Sequence, residues 1–160
     1  MRIAIIGKAQ SGKTTFANYL SKYLDLKTSN TSDWLISVEK LRREKLAYLM
    51  PEMQECSKFS KDKNRDWLIA LGDAVCGLQP DFLIEQAFKR GDIITGIRRK
   101  EEYKFLDKDV ITIYIDRETT VKDNFDIPKI EARYIILNNL TLEALDVKAK
   151  DLAKIIKDFN

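Results

Sequence analysis

Histidine is missing from all 160 residues. Ser-His-Asp catalysis, His-ligated zinc and imidazole acid–base chemistry are therefore excluded together. Any proton acceptor has to be a carboxylate, a lysine, a thiolate or water. Cysteine is scarce: Cys56 and Cys76 are the two present, without metal-type spacing, so no disulfide framework stabilises the chain. Both read as reduced bystanders. Charge of one sign is lacking too, since 28 Lys and Arg against 25 Asp and Glu leave a net charge of +3. That balance gives no footprint for nucleic acid. Long apolar runs are absent; none reaches the ~18 residues of a membrane span. The short apolar start is not expected to be a secretory segment either. The expected compartment is the cytoplasm, with neither a membrane nor a nucleic acid as partner.

What is present describes an ordinary globule, 44% hydrophobic and 33% charged. The length suits about one domain, and no linker-like stretch or internal repeat divides it, so residues 1–160 are expected to form a single unit. Residues 2–6 are a continuous isoleucine-rich run, as in a strand buried on both faces of a parallel sheet. Residues 13–24 have helical spacing, with Phe16, Tyr19, Leu20 and Leu24 on one stripe. A short strand is expected at 26–29, then a helix at 33–50 with Leu35, Val38, Leu41, Leu46 and Leu49 as its apolar positions. Residues 52–64 are polar and lysine-rich, a candidate mobile loop. Two helices, 65–71 and 80–89, are expected to part near Gly72 and Gly77. Strands at 92–97, 110–116 and 134–137 alternate with a charged helix at 98–107, a mixed-charge stretch at 117–133 and a closing amphipathic helix at 141–159. Its buried side should carry Leu142, Leu145, Leu152, Ile156 and Phe159. Alternating strands and helices predict an α/β three-layer sandwich around a mostly parallel sheet of about five strands.

One motif carries chemistry. Gly7-Lys8-Ala9-Gln10-Ser11-Gly12-Lys13-Thr14 matches G-x-x-x-x-G-K-[ST] at every fixed position, between an expected strand and an expected helix. Gly7 and Gly12 let the backbone turn tightly because they lack a Cβ. The amides from Ala9, Gln10, Ser11 and Gly12 through Thr15 would converge on phosphate oxygens, helped by the positive end of the helix. Lys13 would reach the β- and γ-phosphates and the Thr14 hydroxyl would ligate Mg²⁺. ATP and Mg²⁺ are thus the expected cofactors. The D-x-x-G and N-K-x-D elements of a GTPase are not found, and the chain is short for an AAA-type ATPase or helicase.

Several further segments resemble the bacteriophage-type deoxynucleoside monophosphate kinases, P-loop kinases related in fold to dephospho-coenzyme A kinase. Ser32-Asp33-Trp34-Leu35 stands where that family has an A-D-P-L-K-like segment. Arg65-Asp66-Trp67-Leu68-Ile69-Ala70-Leu71-Gly72 is similar to R-x-x-L-Q-x-L-G, and Asp81-Phe82-Leu83 to D-x-W-hydrophobic. Ile94-Thr95-Gly96-Ile97-Arg98-Arg99-Lys100-Glu101-Glu102 resembles hydrophobic-D-V-R-F-x-N-E, and Asn138-Asn139-Leu140-Thr141-Leu142-Glu143-Ala144-Leu145 the family's N-D-G-T-L-E-x-L ending. The resemblance spans nearly the whole chain in scattered short motifs. It implies transfer of a phosphoryl group from ATP to a (deoxy)nucleoside monophosphate. Gly96 departs from it, standing where the family has an Asp that supports magnesium. Asp116 also ends an apolar strand but by chain order belongs one strand further out.

Catalytic roles are expected for Lys13, Arg98, Arg65 and Asp33. Arg98 follows a strand directly and should enter the crevice where α/β sheets bind ligands; otherwise it is a surface arginine at a helix start. The resemblance places Arg65 near the acceptor phosphate. Asp33 is placed to orient the acceptor or a magnesium-bound water, and is as well suited, with Ser32, to cap a helix. Trp34 and Trp67 could stack on a base, though packing is the commoner use of tryptophan. Arg42 and Arg43 read as a solvated face, and Arg117 as a lid residue. A homodimer is an admissible assembly. The competing functions are phosphorylation of another small metabolite such as dephospho-coenzyme A, with Asp33 as base, and a nucleotide-binding module with little turnover.

Overall fold

A computed structural model describes residues 1–49, 64–120 and 127–158. The strands are β1 (Ile3–Ile6), β2 (Thr28–Asn30), β3 (Ile93–Thr95), β4 (Ile111–Asp116) and β5 (Tyr134–Leu137). The helices are α1 (Lys13–Leu24), α2 (Ser32–Leu49), α3 (Arg65–Leu78), α4 (Phe82–Phe88), α5 (Lys100–Tyr103) and α6 (Leu142–Asp158). One sheet runs β2-β3-β1-β4-β5, and all four pairings are parallel. The α/β architecture is the expected one. Its sheet is wholly parallel rather than mostly so.

β1 lies at the centre, with Ile3, Ala4, Ile5 and Ile6 all fully buried. Their side chains alternate between two cores, as strand geometry requires. On one face Ile3, Ile5, Ile93, Ile111, Ile113 and Ile115 pack against Phe16, Ala17 and Leu20 of α1 and Leu145, Ala149, Leu152 and Ile156 of α6. On the other, Ala4, Ile6, Ile94 and Tyr114 meet Ile84 and Ala87 of α4, with Ile97 and Ile127. At roughly 1.5–3 kcal/mol per buried aliphatic side chain, this double burial dominates the stability of the centre. Tyr23 adds a hydrogen bond from α1 to Asp146 of α6 at 3.0 Å. A third, smaller cluster of Leu35, Leu68 and Leu83 joins α2, α3 and α4.

α1 starts and ends where its apolar spacing ends. Five other elements differ from expectation. β2 begins two residues late, because the Lys27 carbonyl turns to the amides of Asp92 (2.8 Å) and Ile93 (2.9 Å). α3 runs unbroken through Gly72 and Gly77 and stops at Gln79, before Pro80. Gly72 does not break the helix; it admits a neighbour. A Cβ there would stand 3.3 Å from Leu35 Cδ1 and 3.9 Å from Leu83 Cδ1, so the missing side chain lets α3 approach α2 and α4. The helix expected over 98–107 shrinks to the four residues of α5. On α2, Val38 and Leu41 are exposed and Glu39 is buried instead. Leu142, placed on the buried side of α6, is 60% exposed. Cys56, Phe159 and nearly all of the loop expected at 52–64 lie outside the described residues. Among the described residues no single helix is long and apolar enough to cross a membrane; one pair, Asp66–Leu78 and Phe82–Phe88, passes by composition but is bent by 104°.

Candidate phosphate-binding site

Because every strand is parallel, every carboxyl end opens on one edge of the sheet. Gly7 follows β1, Thr31 follows β2, Gly96 and Arg98 follow β3, Arg117 follows β4 and Asn138 follows β5. Ligands of open α/β sheets gather along such an edge.

The loop after β1 has the backbone the motif requires. Gly7 has φ +142° and Gly12 φ +94°, and Gln10 takes a left-handed φ of +58° despite its side chain. A non-glycine residue held there carries strain of the kind that collects at binding sites. Neither glycine tolerates a side chain. A Cβ on Gly7 would lie 2.6 Å from the Ile115 carbonyl oxygen, and one on Gly12 2.4 Å from Asn138 Nδ2. Gly12 opens α1 with no side-chain cap, and the first turn of α1 contains no acidic residue. The orphan amides and the helix dipole therefore present uncancelled positive potential at this end.

Lys13 bends back across the loop: its Nζ donates to the carbonyls of Gly7 (2.8 Å) and Lys8 (2.5 Å). Ser11 Oγ is buried and has no hydrogen-bond partner among the described residues, so one hydroxyl of the loop is uncommitted. Thr14 is exposed and Thr15 partly buried in the first turn of α1. Residues 7–15 thus form a tight, amide-rich turn with two lysines, Lys8 and Lys13, and three hydroxyls, from Ser11, Thr14 and Thr15, suited to a polyphosphate.

The buttress of this turn was not foreseen. Buried Asn138 donates its side-chain amide to the Ser11 carbonyl at 2.8 Å, and its backbone amide bonds the Asp116 carbonyl at 2.8 Å. The end of β5 thereby clamps the loop to the end of β4. The Asn-Asn-Leu-Thr segment was visible in the sequence, but only pairing order puts its first residue beside Gly12.

The β3 edge settles two other expectations. Gly96 has φ +104°, and a Cβ would meet Thr31 Oγ1 at 2.4 Å and Asn30 Oδ1 at 2.7 Å. No acid fits where the resemblance puts one; Asn30, Thr31 and Thr95 occupy that space, with Asn30 Nδ2 donating to Thr95 Oγ1 at 2.8 Å. Asp116 does not lie a strand further out, since β4 pairs directly with β1, Ile6 opposite Tyr114. Its carboxylate takes Lys129 Nζ at 3.0 Å.

Arg98 leaves β3 in irregular backbone and is not at a helix start. Its two basic neighbours have acidic partners: Arg99 pairs with Asp73 and Lys100 with Glu131 at 3.3 Å. The partly buried Arg98 guanidinium has no partner among the described residues. Asp33, in the first turn of α2, accepts the Asn30 amide on Oδ2 at 2.7 Å. That is a capping role, and it occupies one of its two oxygens. Arg65 begins α3, with its side chain outside the described set. Arg117 is exposed; Lys122, Asp123 and Asp126 of the expected lid lie outside the described residues.

Of the expected solvated face, Arg42 remains half-exposed whereas Arg43 is largely covered, and both are engaged by an acid. Buried Glu39 receives Arg42 Nε and Nη2 at 2.8 Å each, Arg43 Nε at 2.6 Å and Trp67 Nε1 at 3.1 Å. The Arg42 bonds hold the Glu39 carboxyl down at about 2, against the opposing push of burial, with Arg43 and Trp67 adding to the effect. Arg42 also lies 5.8 Å from the centre of the Trp67 ring. Trp67 thus belongs to an ion-pair network between α2 and α3. Trp34 packs edge-on against Phe82 at 4.8 Å. Burial first, and the Glu102 charge second, push the Cys76 thiol up to about 11, so it stays protonated as expected of a bystander.

No family model matches the sequence, and no curated protein does either. Among solved structures, an unliganded sugar kinase from Janibacter sp. HTCC2649 aligns with 92% of this chain and 91% of its own, at 16% identity and a TM-score of 0.43.

Proposed function

We propose that the chain is an ATP- and Mg²⁺-dependent phosphotransferase whose acceptor is a nucleoside or deoxynucleoside monophosphate, converted to the diphosphate. The observation that carries the reading is the loop at residues 7–15: two side-chain-intolerant glycines, an uncapped helix start and Lys13 folded over the turn.

The donor triphosphate fits that cradle. Its oxygens would take the loop amides and replace the Gly7 and Lys8 carbonyls as partners of Lys13. Among the described residues no cluster of His, Cys, Asp or Glu could hold a metal. Mg²⁺ would be held by the Thr14 hydroxyl together with the bound phosphates, and would supply charge neutralisation during transfer. Arg98, lacking an acid partner among the described residues, is available for the acceptor phosphate and for charge developing on the transferred group. A monophosphate acceptor is already an anion, so no general base is needed; this suits a chain without histidine. An acceptor ending in a hydroxyl would call for one, and Asp33 has an oxygen engaged by Asn30.

The test is ADP release from Mg-ATP against a panel of nucleoside and deoxynucleoside monophosphates. Acceptor-dependent ADP is expected from at least one. Arg98→Ala should lower that turnover by about 10³-fold while Mg-ATP affinity moves less than about threefold. Tight Mg-ATP binding with no acceptor-dependent ADP would leave a nucleotide-binding module, a reading that the acid-free Gly96 position favours.

A further inference from the structure

The turn that delivers Arg98 is held by more than its own backbone. Glu102 Oε2 accepts the backbone amide of Arg98 at 3.0 Å and that of Arg99 at 3.4 Å. The other oxygen, Oε1, faces the Cys76 Sγ of α3 at 4.0 Å. One turn earlier on α3, Asp73 pairs with Arg99. On the opposite side Glu131 takes Lys100 through its carboxylate, and its carbonyl accepts the Tyr103 hydroxyl at 2.5 Å. The segment is pinned upstream too, where Gly96 lies against Asn30 and Thr31. Three acids thus bind residues 98–100, yet none binds the Arg98 side chain among the described residues.

We propose that Glu102 is a positioning residue for Arg98: its carboxylate fixes the backbone from which that guanidinium enters the crevice. The inference rests on the phosphotransferase reading above. A simple helix cap would serve the helix that follows, but α5 has only four residues and its dipole is small. The shorter of the two bonds falls on Arg98, outside that helix. Charge-assisted acceptance of two amides is among the stronger local restraints. An arginine that must meet phosphate within a fraction of an ångström gains more from it than a surface turn does.

The test is a double-mutant cycle of Glu102→Ala and Arg98→Ala, with Glu102→Gln alongside. It is read as acceptor kcat and KM, Mg-ATP affinity and melting temperature. In the Arg98 background, Glu102→Ala should lower acceptor kcat/KM by about 10- to 100-fold and leave Mg-ATP affinity within about twofold. Glu102→Gln, which keeps an acceptor oxygen, should recover all but about threefold. In the Arg98→Ala background the same Glu102→Ala change should cost less than about twofold, because the two act through one group. Equal losses in both backgrounds would overturn the proposal while leaving the phosphotransferase reading intact. So would a parallel fall in Mg-ATP affinity, or a Gln variant as poor as the Ala variant. Wild-type protein without acceptor turnover would overturn both.

Discussion

The α1 side of the sheet and the α2–α3 cluster that adjoins α4 are built on opposite plans. At the α1 end, Phe16, Leu20 and the β1 isoleucines form a dry core, and the polar work is left to the backbone of residues 7–15. At the α2–α3 end the apolar cluster is small. A buried carboxylate takes its place, while Leu41 and Trp67 stand 56% and 46% exposed. The contrast teaches where specificity is stored. A backbone nest needs glycines and a rigid frame, and is indifferent to the other side chains. An ion-pair hub depends on its one acceptor, since the Glu39 carboxylate serves Arg42, Arg43 and Trp67 together.

That contrast can be broken most severely at Glu39. Glu39→Ala takes the shared carboxylate from Arg42 and Arg43 and removes the link to Trp67, while Arg43 keeps Asn64 Oδ1 at 2.7 Å; about 3 kcal/mol of stability should be lost. Denaturant melts would show it, and a change under about 1 kcal/mol would mean the hub contributes little. Next comes Gly12→Ala, which forces a Cβ into Asn138 at positive φ. It should cost roughly 1–3 kcal/mol and weaken Mg-ATP binding as well, which calorimetry on the folded variant checks. Asn138→Ala removes one buried hydrogen bond to the loop and should cost about 1 kcal/mol, with a measurable loss of Mg-ATP affinity; a stability loss alone would make Asn138 a packing residue.

Acid sharpens the comparison without mutation. Glu39 titrates lower in the folded chain than its ordinary 4.5, at about 2. Its contribution is complete above the unfolded value and fades as pH falls from 4.5 towards 2. Melting curves over that window should fall less steeply in Glu39→Gln than in wild type. Identical slopes would contradict the assignment.

Legibility in the sequence followed the same divide. The centre was readable because β1 and α1 obey local rules: an unbroken apolar run, then a 3.6-residue stripe, with the glycines between them fixed by φ and steric demand. The α2–α3 end was not, because period analysis expects leucine and valine inward and has no means to bury Glu39. Its burial depends on Trp67, 28 residues away, and on two arginines at i+3 and i+4. Gly72 misled for a related reason, a helix breaker in isolation and a contact point in the assembled molecule. Arg98 draws notice by its place after a strand, and Glu102 by its spacing of three and four residues from the amides it accepts, whereas Asn138 reaches the Ser11 carbonyl only through the pairing order of the sheet.

The central claim is that residues 7–15 bind a polyphosphate, and isothermal titration of wild type and Lys13→Ala with Mg-ATP tests it most directly. Wild type should bind with measurable heat, while Lys13→Ala should lose about 2–3 kcal/mol of affinity at an unchanged melting temperature of the free protein. No heat from wild type, or equal affinity in the two proteins, would contradict it.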